Sequence, residues 1–122
     1  MIPITPGLRV FVAPGITDMR KSFNGLVAAT REILEEDPLS GHLFAFCNRR
    51  RTLLKLLLWD GTGFWVFAKR LERGTFGWPS PLEGQTKVSL SSEELTALLG
   101  GFVIDPSARR RWWGQDPKRC AR

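Results

Sequence analysis

Asp60-Gly61-Thr62-Gly63 stands between two runs of β-forming residues, Thr52 to Trp59 and Phe64 to Leu71, and it constrains the fold more than any other stretch. An aspartate–glycine turn flanked by strand-like runs is a strong hairpin signal. With Gly61 and Thr62 as the loop, Leu54, Leu56, Leu58, Trp65 and Phe67 share one face of the hairpin. Leu53, Lys55, Leu57, Trp59, Phe64, Val66 and Arg70 share the other. The first set is almost wholly apolar and is expected to lie under the long helix that follows Thr17 and Asp18. The second mixes apolar residues with cations, the pattern of a partly exposed sheet face.

The rest of the chain supplies partners for that hairpin. Leu8 to Ala13 reads as a strand stopped by the turn pair Pro14-Gly15. Thr17 or Asp18 then offers an N-cap. Met19, Phe23, Leu26, Val27, Thr30, Ile33 and Leu34 recur at helical spacing, and the helix is expected to end at Glu36-Asp37-Pro38. Gly25 inside it costs about 1 kcal/mol against alanine, so a close contact with a sheet is expected there. Leu39-Ser40-Gly41 is a loop, His42 to Cys47 a strand, and Asn48-Arg49-Arg50-Arg51 a polar turn. Lys87 to Leu90 reads as a short edge strand. Ser91 and Glu94 form a capping box, whose helix closes at Gly100-Gly101. These elements predict one α+β domain: a mainly antiparallel sheet of about four strands, a long helix on one face and a short C-terminal helix. The domain is expected over residues 1–104, with a basic, mobile tail over 105–122. At 122 residues the chain is long enough for its own core.

Charge is the second constraint. The net charge is +6, and the excess sits in two blocks. Residues 49–73 carry seven Lys or Arg against two acids, and residues 105–122 carry six against two. Such clustering points to a polyanion. Arg49, Arg50 and Arg51 lead into a strand bearing Lys55, and Lys69, Arg70 and Arg73 lie on its partner. Strand pairing brings these cations to the hairpin end away from the turn, where they are candidates for contact with nucleic-acid phosphates or with an acidic protein surface. Trp59, Phe64 and Phe76 interleave with them as possible stacking surfaces for bases, although the plainer reading makes these aromatics core. Arg109-Arg110-Arg111-Trp112-Trp113 has the same chemistry in the tail.

Catalysis finds little to work with. His42 is the single histidine, and its period-2 neighbours Phe44 and Phe46 are apolar, so a backbone-satisfied strand-end histidine is the simpler reading. Asp18, Asp37 and Asp60, the aspartates before the tail, each have a sufficient local role at a helix end or a turn, whereas metal-dependent phosphoryl transfer needs converging carboxylates. No phosphate-cradling glycine motif is present. Cys47 lies in an apolar run and Cys120 in the charged tail, which fits neither a disulfide framework nor a zinc site. No cofactor or metal is therefore expected, and the chain reads as non-enzymatic. It has no apolar run of membrane-spanning length and no signal-peptide layout, so a cytoplasmic location is expected.

Several motifs in register also carry a resemblance. Gly15-Ile16-Thr17-Asp18-Met19-Arg20-Lys21 with Phe23, Gly25 and Leu26 is one. Asp37-Pro38-Leu39-Ser40-Gly41-His42-Leu43-Phe44 and Leu56-Leu57-Leu58-Trp59-Asp60-Gly61-Thr62-Gly63-Phe64 are two more, joined by Lys69-Arg70-Leu71-Glu72-Arg73-Gly74 and Trp78-Pro79. Over about residues 3–104 the chain resembles the TnpB (Orf2-like) accessory proteins of the IS-sixty-six family of bacterial insertion sequences, which are distinct from the RNA-guided nucleases of the same name. Ser22, Asn24 and Ala68 depart from the family pattern. The resemblance implies a role in DNA transposition beside a separate, larger transposase, and it carries no catalytic residues with it. DNA and that transposase are the implied partners. Non-catalytic nucleic-acid binding through the basic hairpin is the favoured reading, and docking on the transposase without touching DNA is the alternative.

Overall fold

A computed structural model describes residues 7–80 and 85–101. The sheet has five strands: β1 (Val10–Val12), β2 (Leu43–Cys47), β3 (Leu53–Trp59), β4 (Phe64–Arg70) and β5 (Val88–Leu90). Helix α1 (Phe23–Glu32) joins β1 to β2, and α2 (Ser92–Leu99) follows β5. The strand order is β4-β3-β2-β1-β5. β3 and β4 pair antiparallel from Leu53↔Arg70 to Trp59↔Phe64, with Gly61 at φ +104° in the two-residue loop. The hairpin and its face assignment follow the sequence.

The expected sheet of about four mainly antiparallel strands needs one correction. β1 pairs β2 in parallel, because α1 carries the chain back along the sheet between them, and β5 adds a fifth, antiparallel strand beside β1. The sheet is therefore mixed.

Both faces are covered, and the long helix lies on the face opposite to the one expected. Leu54, Leu56 and Leu58 pack with Val10, Val12, Leu43 and Ala45 under α2, through Leu95 and Leu98, and under Phe76. α1 covers the other face, where Leu26, Ala29 and Leu34 meet Phe44, Phe46 and Leu57. All five residues of β2 are buried, as a central strand with two covered faces requires. The capping box is present: the Ser91 hydroxyl accepts from the Glu94 amide at 3.2 Å, and the Glu94 carboxylate accepts from the Ser91 amide at 2.9 Å.

α1 is shorter than its periodicity predicts. Ser22 takes the N-cap position, and Asp18 caps nothing, lying instead in the connection that precedes the helix. A Cβ on Gly25 would stand 2.9 Å from the Lys21 Cβ, so the close approach that glycine permits is to this connection and not to the sheet. The basic tail expected over residues 105–122 lies outside the described residues.

Candidate nucleic-acid interface

The strand directions put three connections at one end of the sheet: residues 13–22 after β1, 48–52 between β2 and β3, and 71–78 after β4. Backbone bonds tie them together. Thr17 donates to the Cys47 carbonyl at 2.9 Å, Leu71 to Thr52 at 2.8 Å and Phe76 to Arg51 at 2.7 Å. The Trp78 indole donates to the Ala13 carbonyl at 2.8 Å. Within the middle connection, the Asn48 carboxamide oxygen accepts from the Thr52 and Leu53 amides at 2.9 and 3.1 Å, which closes a tight turn and leaves Arg49 and Arg50 exposed at its tip.

The seven cations singled out from sequence meet at this end, but they are not equivalent. Arg51 has φ +59°, and its guanidinium donates to the Pro14 and Gly15 carbonyls at 3.0 and 3.2 Å while lying 5.6 Å from the centre of the Trp78 ring. Lys55 turns its ammonium onto the carbonyls of Met19 and Lys21, at 2.8 and 2.9 Å. Lys69, on the opposite face of the hairpin from Lys55, donates to the Leu99 carbonyl at the end of α2, at 2.6 Å. Arg70 pairs with Glu72 at 3.4 Å, both exposed. Arg49, Arg50 and Arg73 are exposed and have no protein hydrogen bond or ion pair among the described residues.

The same end holds two further cations outside those seven, Arg20 and Lys21, both exposed. Asp18 organises them. Its carboxylate accepts from the Arg20 backbone amide at 2.9 Å and from the Arg20 guanidinium at 2.8 to 3.1 Å. The guanidinium hydrogen bond is the main reason the Asp18 carboxyl falls from its ordinary 3.8 to about 2. The signal was present as Asp18-Met19-Arg20, since an aspartate that bonds an amide two residues on makes a turn as readily as a cap. The acids of this end, Asp18 and Glu72, are thus each engaged by an arginine.

The interleaved aromatics offer no exposed stacking surface beside these cations. Phe76 is buried in the core, and Trp59 and Phe64 pack on one another at 4.9 Å beside the Asp60 turn, at the far end of the hairpin. Ile16 and Phe23 are instead the exposed apolar side chains of the loop and helix start that bear Arg20 and Lys21.

The residues considered for catalysis are dispersed. Asp60 accepts from the Thr62 and Gly63 amides, the Thr62 hydroxyl and the Trp65 indole at 2.7 to 3.0 Å, and the Thr62 amide above all holds its carboxyl far below the usual range. Asp37 accepts from the Leu39 amide, a local turn after α1 and not its terminus. Asp18 and Asp60 lie at opposite ends of the sheet. His42 sits edge-on to Phe11 at 5.6 Å. Burial pushes the Cys47 thiol up, away from the reactive thiolate form. Among the described residues no three His, Cys, Asp or Glu side chains form a metal-holding group, and no helix is long and apolar enough to cross a membrane.

Fold and site together define a small mixed-sheet α+β domain with cations collected at one end. Residues 8–109 match the family described as IS66 Orf2 like protein, and the chain belongs to that family of insertion-sequence accessory proteins. It is 43% identical over 102 residues to a protein of Sinorhizobium fredii (strain NBRC 101917 / NGR234) titled "Uncharacterized protein y4hO", covering 84% of this chain and 87% of that protein. It is 38% identical over 102 residues to "Uncharacterized protein y4jC" of the same organism, covering 84% and 86% respectively. No solved structure matches it.

Proposed function

We propose that this chain serves DNA transposition as a non-catalytic accessory factor that binds nucleic acid through the basic end of its sheet. The observation that carries the reading is the charge balance there. Both acids of that end are held by arginines, while Arg49, Arg50 and Arg73 are exposed without a protein partner among the described residues. Guanidinium groups in that state are suited to phosphate oxygens. Arg51, Lys55 and Lys69 belong to the same basic end, but each already donates to a backbone carbonyl, so their main part is to position the loops. Arg70 adds charge beside Glu72.

Fluorescence anisotropy of duplex and single-stranded oligonucleotides over a salt series tests this. The fall of log affinity with log salt counts the phosphates neutralised. Replacing Arg49, Arg50 and Arg73 together by glutamine is expected to weaken binding and flatten that slope by roughly two to three, with the unfolding midpoint unchanged. An unchanged affinity and slope would overturn the assignment. The exposed apolar pair Ile16 and Phe23 favours a second reading, in which the same end docks on the transposase. That reading predicts loss of transposase capture in Ile16→Ser or Phe23→Ser variants that bind DNA normally.

A further inference from the structure

We propose that the free edge of β4 pairs with the same edge of a second copy of this chain, joining two five-stranded sheets across an antiparallel two-fold. β4 ends the strand order, and at seven residues it is much longer than β5, the three-residue strand at the other edge. The hairpin fixes which backbone groups are free. Asp60 donates to the Gly63 carbonyl and Leu71 to the Thr52 carbonyl, so the odd-numbered residues of β4 bond inward to β3. Phe64, Val66, Ala68 and Arg70 therefore aim their N–H and C=O groups outward, and none has a partner among the described residues. A row of this kind is a template for another strand.

The side chains select a register and a partner. Among two-fold antiparallel registers, the one centred on Phe67 joins all four outward-facing residues of each copy. Phe64 then meets Arg70 of the second copy, and Val66 meets its Ala68, with two hydrogen bonds for each facing pair. In the closer, non-bonded pairs between them, Trp65 meets Lys69 of the second copy and Phe67 meets its counterpart. Every cation opposes an aromatic ring and no cation opposes a cation, a self-complementary pattern of cation–π and aromatic pairs.

The presenting ring is already fixed. Trp65 is 52% exposed, stacks on Phe67 at 5.8 Å and 7°, and donates its indole N–H to Asp60 at 2.7 Å. Cations on an edge strand ordinarily discourage pairing. Here they discourage slippage, because moving the copies far enough along one another places Lys69 against Lys69. The two basic ends come to lie at opposite ends of the joined sheet, and of their cations the pairing engages only Lys69 and Arg70, leaving Arg49, Arg50 and Arg73 outside the seam.

Sedimentation velocity and amide exchange by NMR on the full chain, each over a concentration series, test the proposal. A monomer–dimer equilibrium is expected. Amides of Phe64, Val66, Ala68 and Arg70 should gain protection as concentration rises, while those of Trp65, Phe67 and Lys69 stay protected throughout. Trp65→Lys, which sets like charges against one another, is expected to abolish the dimer where the parent forms it, and adding Lys69→Glu should restore it. A monomer at every concentration overturns the proposal. Protection of the even-numbered amides that ignores concentration also overturns it, because the chain itself then covers the edge. A dimer unaffected by Trp65→Lys places the contact on another surface. If Trp65→Lys unfolds by circular dichroism, the exchange pattern of the parent alone decides.

Discussion

Replacing Lys55 by methionine separates a lysine that holds the fold from one that meets a phosphate. The ammonium donates to the Met19 and Lys21 carbonyls at 2.8 and 2.9 Å, across more than thirty residues of sequence. A hydrogen bond from a charged donor contributes about 1.5–3 kcal/mol net. The bond to Lys21 lies at an exposed site, where water substitutes readily, and fixing a lysine side chain costs up to about 2 kcal/mol. The expected loss is roughly 2 kcal/mol, or about 6–10 °C in the unfolding midpoint for a domain of this size. Thermal unfolding by circular dichroism measures it, and faster exchange of the Arg20 and Lys21 amides should accompany it. Lys69→Met is the comparison. Its single bond, to Leu99, is exposed, and a loss below about 1 kcal/mol is expected. If Lys55→Met leaves the midpoint in place while the salt slope of DNA binding falls by about one, Lys55 is a phosphate contact and the reasoning fails.

Arg51→Ala should destabilise the chain by about 1–2 kcal/mol through loss of the bonds to Pro14 and Gly15, and Arg51→Gly by less, since glycine relieves a φ of +59°; urea midpoints compare the two. Asp18, lowered from 3.8 to about 2 in the fold, contributes stability that is present above its unfolded value and lost as pH falls through about 2. Acid titration of Asp18→Asn should therefore show a flatter stability loss between pH 4 and about 2 than the parent, and an unchanged profile would refute the Arg20 contact as its cause. Gly25→Ala adds about 1 kcal/mol of helix propensity but sets a Cβ 2.9 Å from the Lys21 Cβ, so a lower midpoint is expected, with Lys21→Gly restoring it.

What the sequence revealed and what it hid differ by range of interaction. The hairpin register, the α2 capping box and the β-runs depend on residues within a few positions of one another, and the structure follows them. The start of α1 does not. A carboxylate bonding a nearby amide opens a helix or closes a turn with the same local chemistry, and Asp18 makes the turn. The ammonium of Lys55 holds the carbonyls of that stretch, and nothing between residues 17 and 23 encodes it. The parallel β1–β2 pairing likewise comes from the path of the chain through α1. Lys55 also explains the misplaced helix: in sequence it marks an exposed face, but its stem crosses a covered one and its charge is satisfied by the loop at the rim.

The same distinction sets the number of phosphates the domain can neutralise. Counted as letters, Arg49, Arg50, Arg51, Lys55, Lys69, Arg70 and Arg73 are equal, and seven phosphate contacts on duplex DNA give a salt slope of roughly −6. Counted as groups in the structure, Arg51, Lys55 and Lys69 each hold a carbonyl, and Arg70 faces Glu72. Arg49, Arg50 and Arg73 remain, with exposed Lys21 beside them and Arg20 partly neutralised by Asp18. The expected slope for the basic end is then about −3 to −4. A slope near −6 that survives the Arg49, Arg50 and Arg73 replacements would locate the binding charge outside this end, in the Arg109-Arg110-Arg111 stretch that lies beyond the described residues.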